Sequence, residues 1–195
     1  TFLYVAGSAA GEERLPIWVD REGKESPISQ HKRVYLDARL APDGTRLAAM
    51  IMDAANPDIW ILEIERDMFT RLTFDEAVDQ NPRWSPDGKW IVFSSNRGKS
   101  GFNLFRQLAD GTGEAERLTT SDNRQFPLSF SPDGSILVFE EEHPETKFDI
   151  MYLRLDGEER KPEAFLATPF LEGDPALSPD GKWIAYASNE SGEFD

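Results

Sequence analysis

The sequence predicts an all-β fold, a β-propeller of four-stranded antiparallel blades, here a partial one with three whole blades and two incomplete ones. Three observations carry this. A Pro-Asp-Gly turn recurs four times, an apolar run rich in β-branched and aromatic residues follows each copy, and helical periodicity is nowhere sustained. The turns are "LAPDG" (Leu40 to Gly44), "WSPDG" (Trp84 to Gly88), "FSPDG" (Phe130 to Gly134) and "LSPDG" (Leu177 to Gly181). Their aspartates, Asp43, Asp87, Asp133 and Asp180, stand 44, 46 and 47 residues apart, the period of a propeller blade.

Each element follows from local chemistry. Proline presets φ at the second turn position, Ser and Asp suit the flanking ones, and Gly44, Gly88, Gly134 and Gly181 supply a left-handed backbone, so each turn closes a hairpin. The runs after the turns, "RLAAMIM", "KWIVFSS", "SILVFEE" and "KWIAYAS", read as buried second strands. "DIWILEI", "FNLFRQL" and "FDIMYLRL" read as third strands, and "FTRLTF", "AERLTT" and "EAFLAT" as fourth ones. First strands precede the turns in "RVYLDARLAPDG", "QNPRWSPDG", "QFPLSFSPDG" and "GDPALSPDG". The chain is thus divided as one domain: an incomplete blade at 1–30, whole blades at 31–75, 76–121 and 122–168, and an incomplete blade at 169–195. Blades bury their faces only against neighbours, so a fragment of a longer propeller is expected, with self-association through the incomplete blades.

Composition narrows the function. With 36 acidic and 21 basic residues in 195, the formal charge of −15 repels nucleic acid and anionic membranes, so neither partner is expected. No apolar run reaches the 18 residues of a membrane span, and "TFLYVAGSAAGEERL" lacks the pattern of a signal peptide, which places any targeting segment outside this sequence. The absence of cysteine excludes disulfides and thiolate chemistry.

The succession of Ser-Pro-Asp-Gly, apolar strand, "SNRGKSG" loop, "DIW" or "NLF" strand and "RLT" resembles the TolB-like propeller repeat over nearly the whole chain. More narrowly, "IWVDREGKE", "DIWILEI" with "RLTFD", "AERLTTS" and "FLATPFLEGDPALSPDGKWIAYASNESGE" look like the propeller carried C-terminal to bacterial serine/threonine protein kinases. That resemblance implies a six-bladed sensory or protein-binding module and slightly favours an extracytoplasmic, periplasmic location. Similar propellers also occur alone, in the Tol system and in front of serine peptidase domains.

Binding residues concentrate on loops held by a rigid scaffold. In a propeller the loops that join fourth to first strands and second to third strands share one face. Asp79, Asn81, Arg124, Gln125 and Asp174 precede first strands and are expected to rim the central channel, where they would bind a peptide or sugar; alternatively they satisfy loop backbone. The turn aspartates are read as structural. His31 and His143 are the two histidines, and Glu140-Glu141-Glu142 is read as a solvated charge run with a cation site as its alternative. No nucleophile elbow, phosphate loop, zinc-protease helix or dinucleotide fingerprint occurs, so no catalytic residue, metal or cofactor is assigned. The leading expectation is a non-catalytic module that binds a protein or small ligand. Its rival is a hydrolase of glycosides or esters using channel carboxylates.

Overall fold

A computed structural model describes residues 2–5, 11–53, 56–98, 101–157 and 160–193. Its seventeen strands and the turns between them contain no helix. The first sheet holds β1 (Phe2–Val5), β2 (Pro16–Val19) and β3 (Glu25–Pro27). Three four-stranded sheets follow, each a meander in sequence order. The second holds β4 (Val34–Leu40), β5 (Arg46–Asp53), β6 (Asn56–Glu63) and β7 (Met68–Arg71). The third holds β8 (Asp79–Trp84), β9 (Trp90–Ser95), β10 (Asn103–Leu108) and β11 (Glu116–Arg117). The fourth holds β12 (Arg124–Phe130), β13 (Ile136–His143), β14 (Lys147–Arg154) and β15 (Pro162–Leu166), and the last β16 (Glu172–Leu177) and β17 (Ile184–Ser188). This is a partial propeller of four-stranded antiparallel sheets.

The first strands β4, β8, β12 and β16 pack on one another in series, and β8, β12 and β16 each lie against several strands of the preceding sheet, so they form the innermost layer. Between sheets the core is continuous. Ala48, Ile59 and Ile61 of the second sheet meet Trp84, Ile91, Phe93 and Phe105 of the third, and Val92 and Leu104 of the third meet Leu137, Phe139 and Leu153 of the fourth. The second strands β5, β9 and β13 are covered on both faces over their central residues, which explains why they read as apolar runs instead of alternating.

The repeated turns are built alike. Gly88, Gly134 and Gly181 donate their amides to Ser85, Ser131 and Ser178 carbonyls at 2.8–2.9 Å, with φ of 67°, 74° and 70°. In each, the serine hydroxyl donates to the Asp Oδ1 at 2.5–2.6 Å and accepts the amide five residues on. In the first turn Ala41 replaces that serine, and the Thr45 hydroxyl donates to Asp43 instead, at 2.8 Å. Neighbouring turns stack: a Cβ on Gly181 would approach Pro132 to 3.0 Å, so glycine there serves both the positive φ and the close approach.

These bonds favour the ionised carboxylates. The Ser131 hydroxyl and the Ser135 amide hold Asp133 down to about 2, and the serine hydroxyls do the same in direction for Asp87 and Asp180, as the Thr45 amide does for Asp43. A folded-state value below the unfolded one, near 4, gives stability that is present above about pH 4 and lost as pH falls toward 2. Thermal melts followed by circular dichroism are expected to show the midpoint falling through that window, and Asp133→Asn is expected to lower the midpoint at pH 7 while flattening the acid decline.

Candidate functional site

The innermost strands do not run straight. Each carries a bulge, at Leu36 in β4, at Asn81 and Pro82 in β8, at Leu128 in β12, and at Asp174 and Pro175 in β16. Asn81 and Asp174 take positive φ, 54° and 52°, a conformation that short polar side chains tolerate best. Both precede proline, which donates no hydrogen bond, and the bulge turns the following side chains toward the axis.

A charged cluster results. Arg83 Nη1 meets Asp37 Oδ2 at 3.0 Å and its own neighbour Pro82's carbonyl at 2.9 Å, while its Nε donates to the Leu128 carbonyl at 3.2 Å. One guanidinium thereby ties β4, β8 and β12. Arg39 adds an ion pair to Asp37 at 3.2 Å. Burial and the Arg39 charge work against the Arg83 cation, and Asp37 and Glu140 support it. Glu140 of β13 accepts the Asp174 amide at 2.6 Å, and burial raises its carboxyl above the ordinary range, with the Asp174 charge adding to the rise. The cluster therefore spans the second through last sheets.

The expected rim residues divide. Asp174 and Arg124 are exposed and Asn81 is half-buried, all three accessible. Asp79 and Gln125 show no accessible surface and lie inside the contacts between sheets, out of reach of a ligand on the channel rim. Counting from the turn explains it: in each strand they occupy the position whose side chain turns away from the axis toward the preceding sheet. Asp79 pairs with Arg97 at 2.7 Å, and Gln125 donates to Glu141 at 2.5 Å and accepts from the Thr119 hydroxyl. Arg124 lies over the Phe102 and Phe126 rings at 5.3 and 5.2 Å and pairs with Glu142 at 3.3 Å.

Arg124 also lines a cleft of about 330 Å³ with Asn123, Glu142, His143, Lys147 and Phe148, on the loop face. Lys147 there has φ of 79°, a strained backbone for a non-glycine residue. His143 accepts the Glu145 amide at 3.3 Å through Nδ1. His31 stands apart, 3.9 Å from Asp67 and edge-on to Phe69. A second cleft of about 310 Å³ opens on the turn face between Trp90 and Phe130, where Arg106 stacks on Trp90 at 4.3 Å. Among the described residues no group of three or more acidic or histidine side chains converges in a metal-binding arrangement.

Glu140-Glu141-Glu142, expected as a solvated charge run, is half-buried in β13, with Glu140 bound to the Asp174 amide and Glu141 to Gln125. Asp37, Arg39 and Arg83 were not expected as site residues. Their signal was available in the position of Asp37 and Asp174, each six residues before a turn aspartate, and of Asn81, six before Asp87.

A family described as the TolB beta propeller domain matches residues 16–194. An uncharacterized peptidase, YuxL, of Bacillus subtilis is 28% identical over 192 aligned residues, covering 78% of this chain and 29% of the relative. An uncharacterized protein of Agrobacterium fabrum is 31% identical over 138 residues, covering 66% of this chain and 46% of its own. The crystal structure of TolB from Acinetobacter baumannii superposes with a TM-score of 0.79 at 23% identity, covering 98% of this chain and 47% of that one. The chain spans less than half the length of these relatives.

Proposed function

We propose, since this chain belongs to the TolB β-propeller family, that it is a non-catalytic binding module whose loop face and channel mouth receive a protein segment or small ligand. The observation that carries this reading is the state of the carboxylates. Asp37, Asp58 and Asp79 are each committed to an arginine at 2.5–3.0 Å, which leaves them poor candidates for proton transfer. What remains accessible is recognition chemistry: the Asn81 amide, the Asp174 carboxylate, and Arg124 stacked on two aromatic rings beside a cleft with charges of both signs. TolB-like propellers are protein-interaction modules, which supports a protein segment as the ligand. The likeness to kinase-borne propellers in the sequence motifs suggests that such a module acts as a sensor for an attached domain.

Self-association forms part of the proposal. In the last sheet Trp183 is 74% and Tyr186 43% exposed, although the position of Tyr186 is filled by Ala49, Phe93 and Phe139, all fully buried, in the preceding sheets. Such a surface favours contact with another sheet.

A hydrolase reading has one observation in its favour. Glu140, with its raised carboxyl, lies beside Asp174 at the channel, an arrangement able to pair a general acid with a second carboxylate. Chromogenic glycosides and esters separate the two. No turnover is expected, whereas screening immobilised protein against a peptide library is expected to find ligands whose binding falls at least tenfold on Arg124→Glu. Turnover abolished by Glu140→Gln and by Asp174→Asn, with circular dichroism unchanged, would overturn the binding-only reading.

A further inference from the structure

The contacts between successive sheets follow one plan, which makes their differences informative. Between the second and third sheets stand two buried carboxylates, Asp58 in β6 and Asp79 at the start of β8, neither with accessible surface. Each has its own guanidinium. Arg71 reaches Asp58 at 2.5 Å, supported by the Thr73 hydroxyl at 3.3 Å, and Arg97 reaches Asp79 at 2.7 Å. Between the third and fourth sheets the corresponding residues are neutral, Asn103 and Gln125, bonded to Arg117 and to Thr119. Between the fourth and last sheets the plan returns to two acids, Asp149 in β14 and Glu172 in β16, strands that pack on each other.

Hydrogen bonds fix the correspondence. The Val78 amide donates to Asn96 Oδ1 and the Leu171 amide to Asn189 Oδ1, both at 2.9 Å. The Arg97 and Glu190 amides donate to Ser95 and Ser188 Oγ at 3.3 and 3.2 Å. Glu172 therefore takes the place of Asp79, and Glu190 that of Arg97. On the other side, Leu166 pairs with Ile150 as Leu72 pairs with Ile59, so by count from that leucine Phe165 and Ala167 stand where Arg71 and Thr73 do, although a bulge at Phe165 sets Ala164 opposite Met151, where Arg71 lies opposite Trp60; neither Ala164 nor Phe165 carries a charge. Both acids persist while both arginines have been replaced.

The consequence is visible at the atoms. Asp149 is 8% and Glu172 1% exposed, and neither Asp149 Oδ1 nor Glu172 Oε2 has a hydrogen-bond partner among the described residues. Glu172 Oε1 accepts the Thr168 hydroxyl. Asp79 Oδ1 also lacks a partner, but there the other oxygen meets Arg97. Two buried carboxylates without a counter-charge are strongly disfavoured, and a bound cation is one way to neutralise them.

We infer that the contact between the fourth and last sheets binds a divalent metal cation, with Asp149 Oδ1 and Glu172 Oε2 as carboxylate ligands in place of the two missing arginines. The donors are hard oxygens, which suit calcium, and its flexible coordination accepts water in the remaining positions. The site links the last two strands to the rest of the array, so metal binding stabilises that end.

The test is calorimetric titration of chelator-treated protein with calcium chloride, together with thermal melts. One saturable site is expected, and at calcium near one hundred times Kd the midpoint rises by about 5–10 °C. Asp149→Asn with Glu172→Gln removes both the binding and the rise. Phe165→Arg, which sets a guanidinium immediately before Leu166 as Arg71 stands before Leu72, raises the metal-free midpoint and shrinks the calcium effect. Absence of binding and of any midpoint shift with calcium, magnesium or manganese up to 10 mM (roughly the weak end of natural calcium sites) overturns the inference, as does binding that survives in the double variant. Because the readout is metal binding alone, its failure leaves the recognition function of the loop face unaffected.

Discussion

Replacing Phe93 by alanine is expected to destabilise the protein by about 3–5 kcal/mol, measured by urea denaturation followed by tryptophan fluorescence. Phe93 has no accessible surface and stacks on Phe105 with ring centroids 6.2 Å apart. It sits at the centre of the cluster that joins the second and third sheets, among Ala48, Ile59, Ile91 and Trp84. Two contributions add: loss of the transfer energy of a large aromatic side chain, and a cavity that surrounding strands cannot close because their ladders fix them. Phe74→Ala provides the contrast. That ring is 73% exposed, so its loss should change stability by no more than about 0.5 kcal/mol. Equal effects from the two substitutions would mean that the sheets do not pack as one unit.

The difference between these two phenylalanines was only half legible in the sequence. Strands, turns and their order were readable because their causes are local: the Pro-Asp-Gly turn is specified within four residues, and the buried second strands by the apolar run that follows. The count of strands per sheet followed from the spacing of the turns. The site was less legible because its causes are distant. Arg83 meets Asp37 across 46 residues, and Asp174 donates to Glu140 across 34. Asp79 and Gln125 were expected at the channel rim from their place before a first strand, but placement along a strand does not say which face a side chain takes. Only the register with the second strand, where Asp79 pairs with Ser95 and Gln125 with Glu141, turns them inward between the sheets. Asn81 and Asp174 show the opposite case. Their positive φ depends on the bulge, and the short polar residue before proline was its sequence trace.

Arg97→Met is the second substitution with a large expected effect, about 3–5 kcal/mol of lost stability. The guanidinium pairs with Asp79 at 2.7 Å, donates to Ser95 Oγ at 3.0 Å, and lies over the Phe93 and Phe105 rings at 5.3 and 5.1 Å. Its side chain is 17% exposed and that of Asp79 fully buried, so methionine would preserve much of the packing while leaving a carboxylate inside the protein without a counter-charge. The cost should come from the stranded charge more than from the lost pair, since burying an uncompensated ion is worse than never having had the pair. A double variant tests this directly. Adding Asp79→Asn to Arg97→Met removes the orphaned charge and should recover at least half of the loss, a coupling that two independent packing defects would not show. If Arg97→Met and the double variant are equally destabilised, the role of Arg97 is to cover the aromatic rings, and charge neutralisation between the sheets has to be discounted at this position.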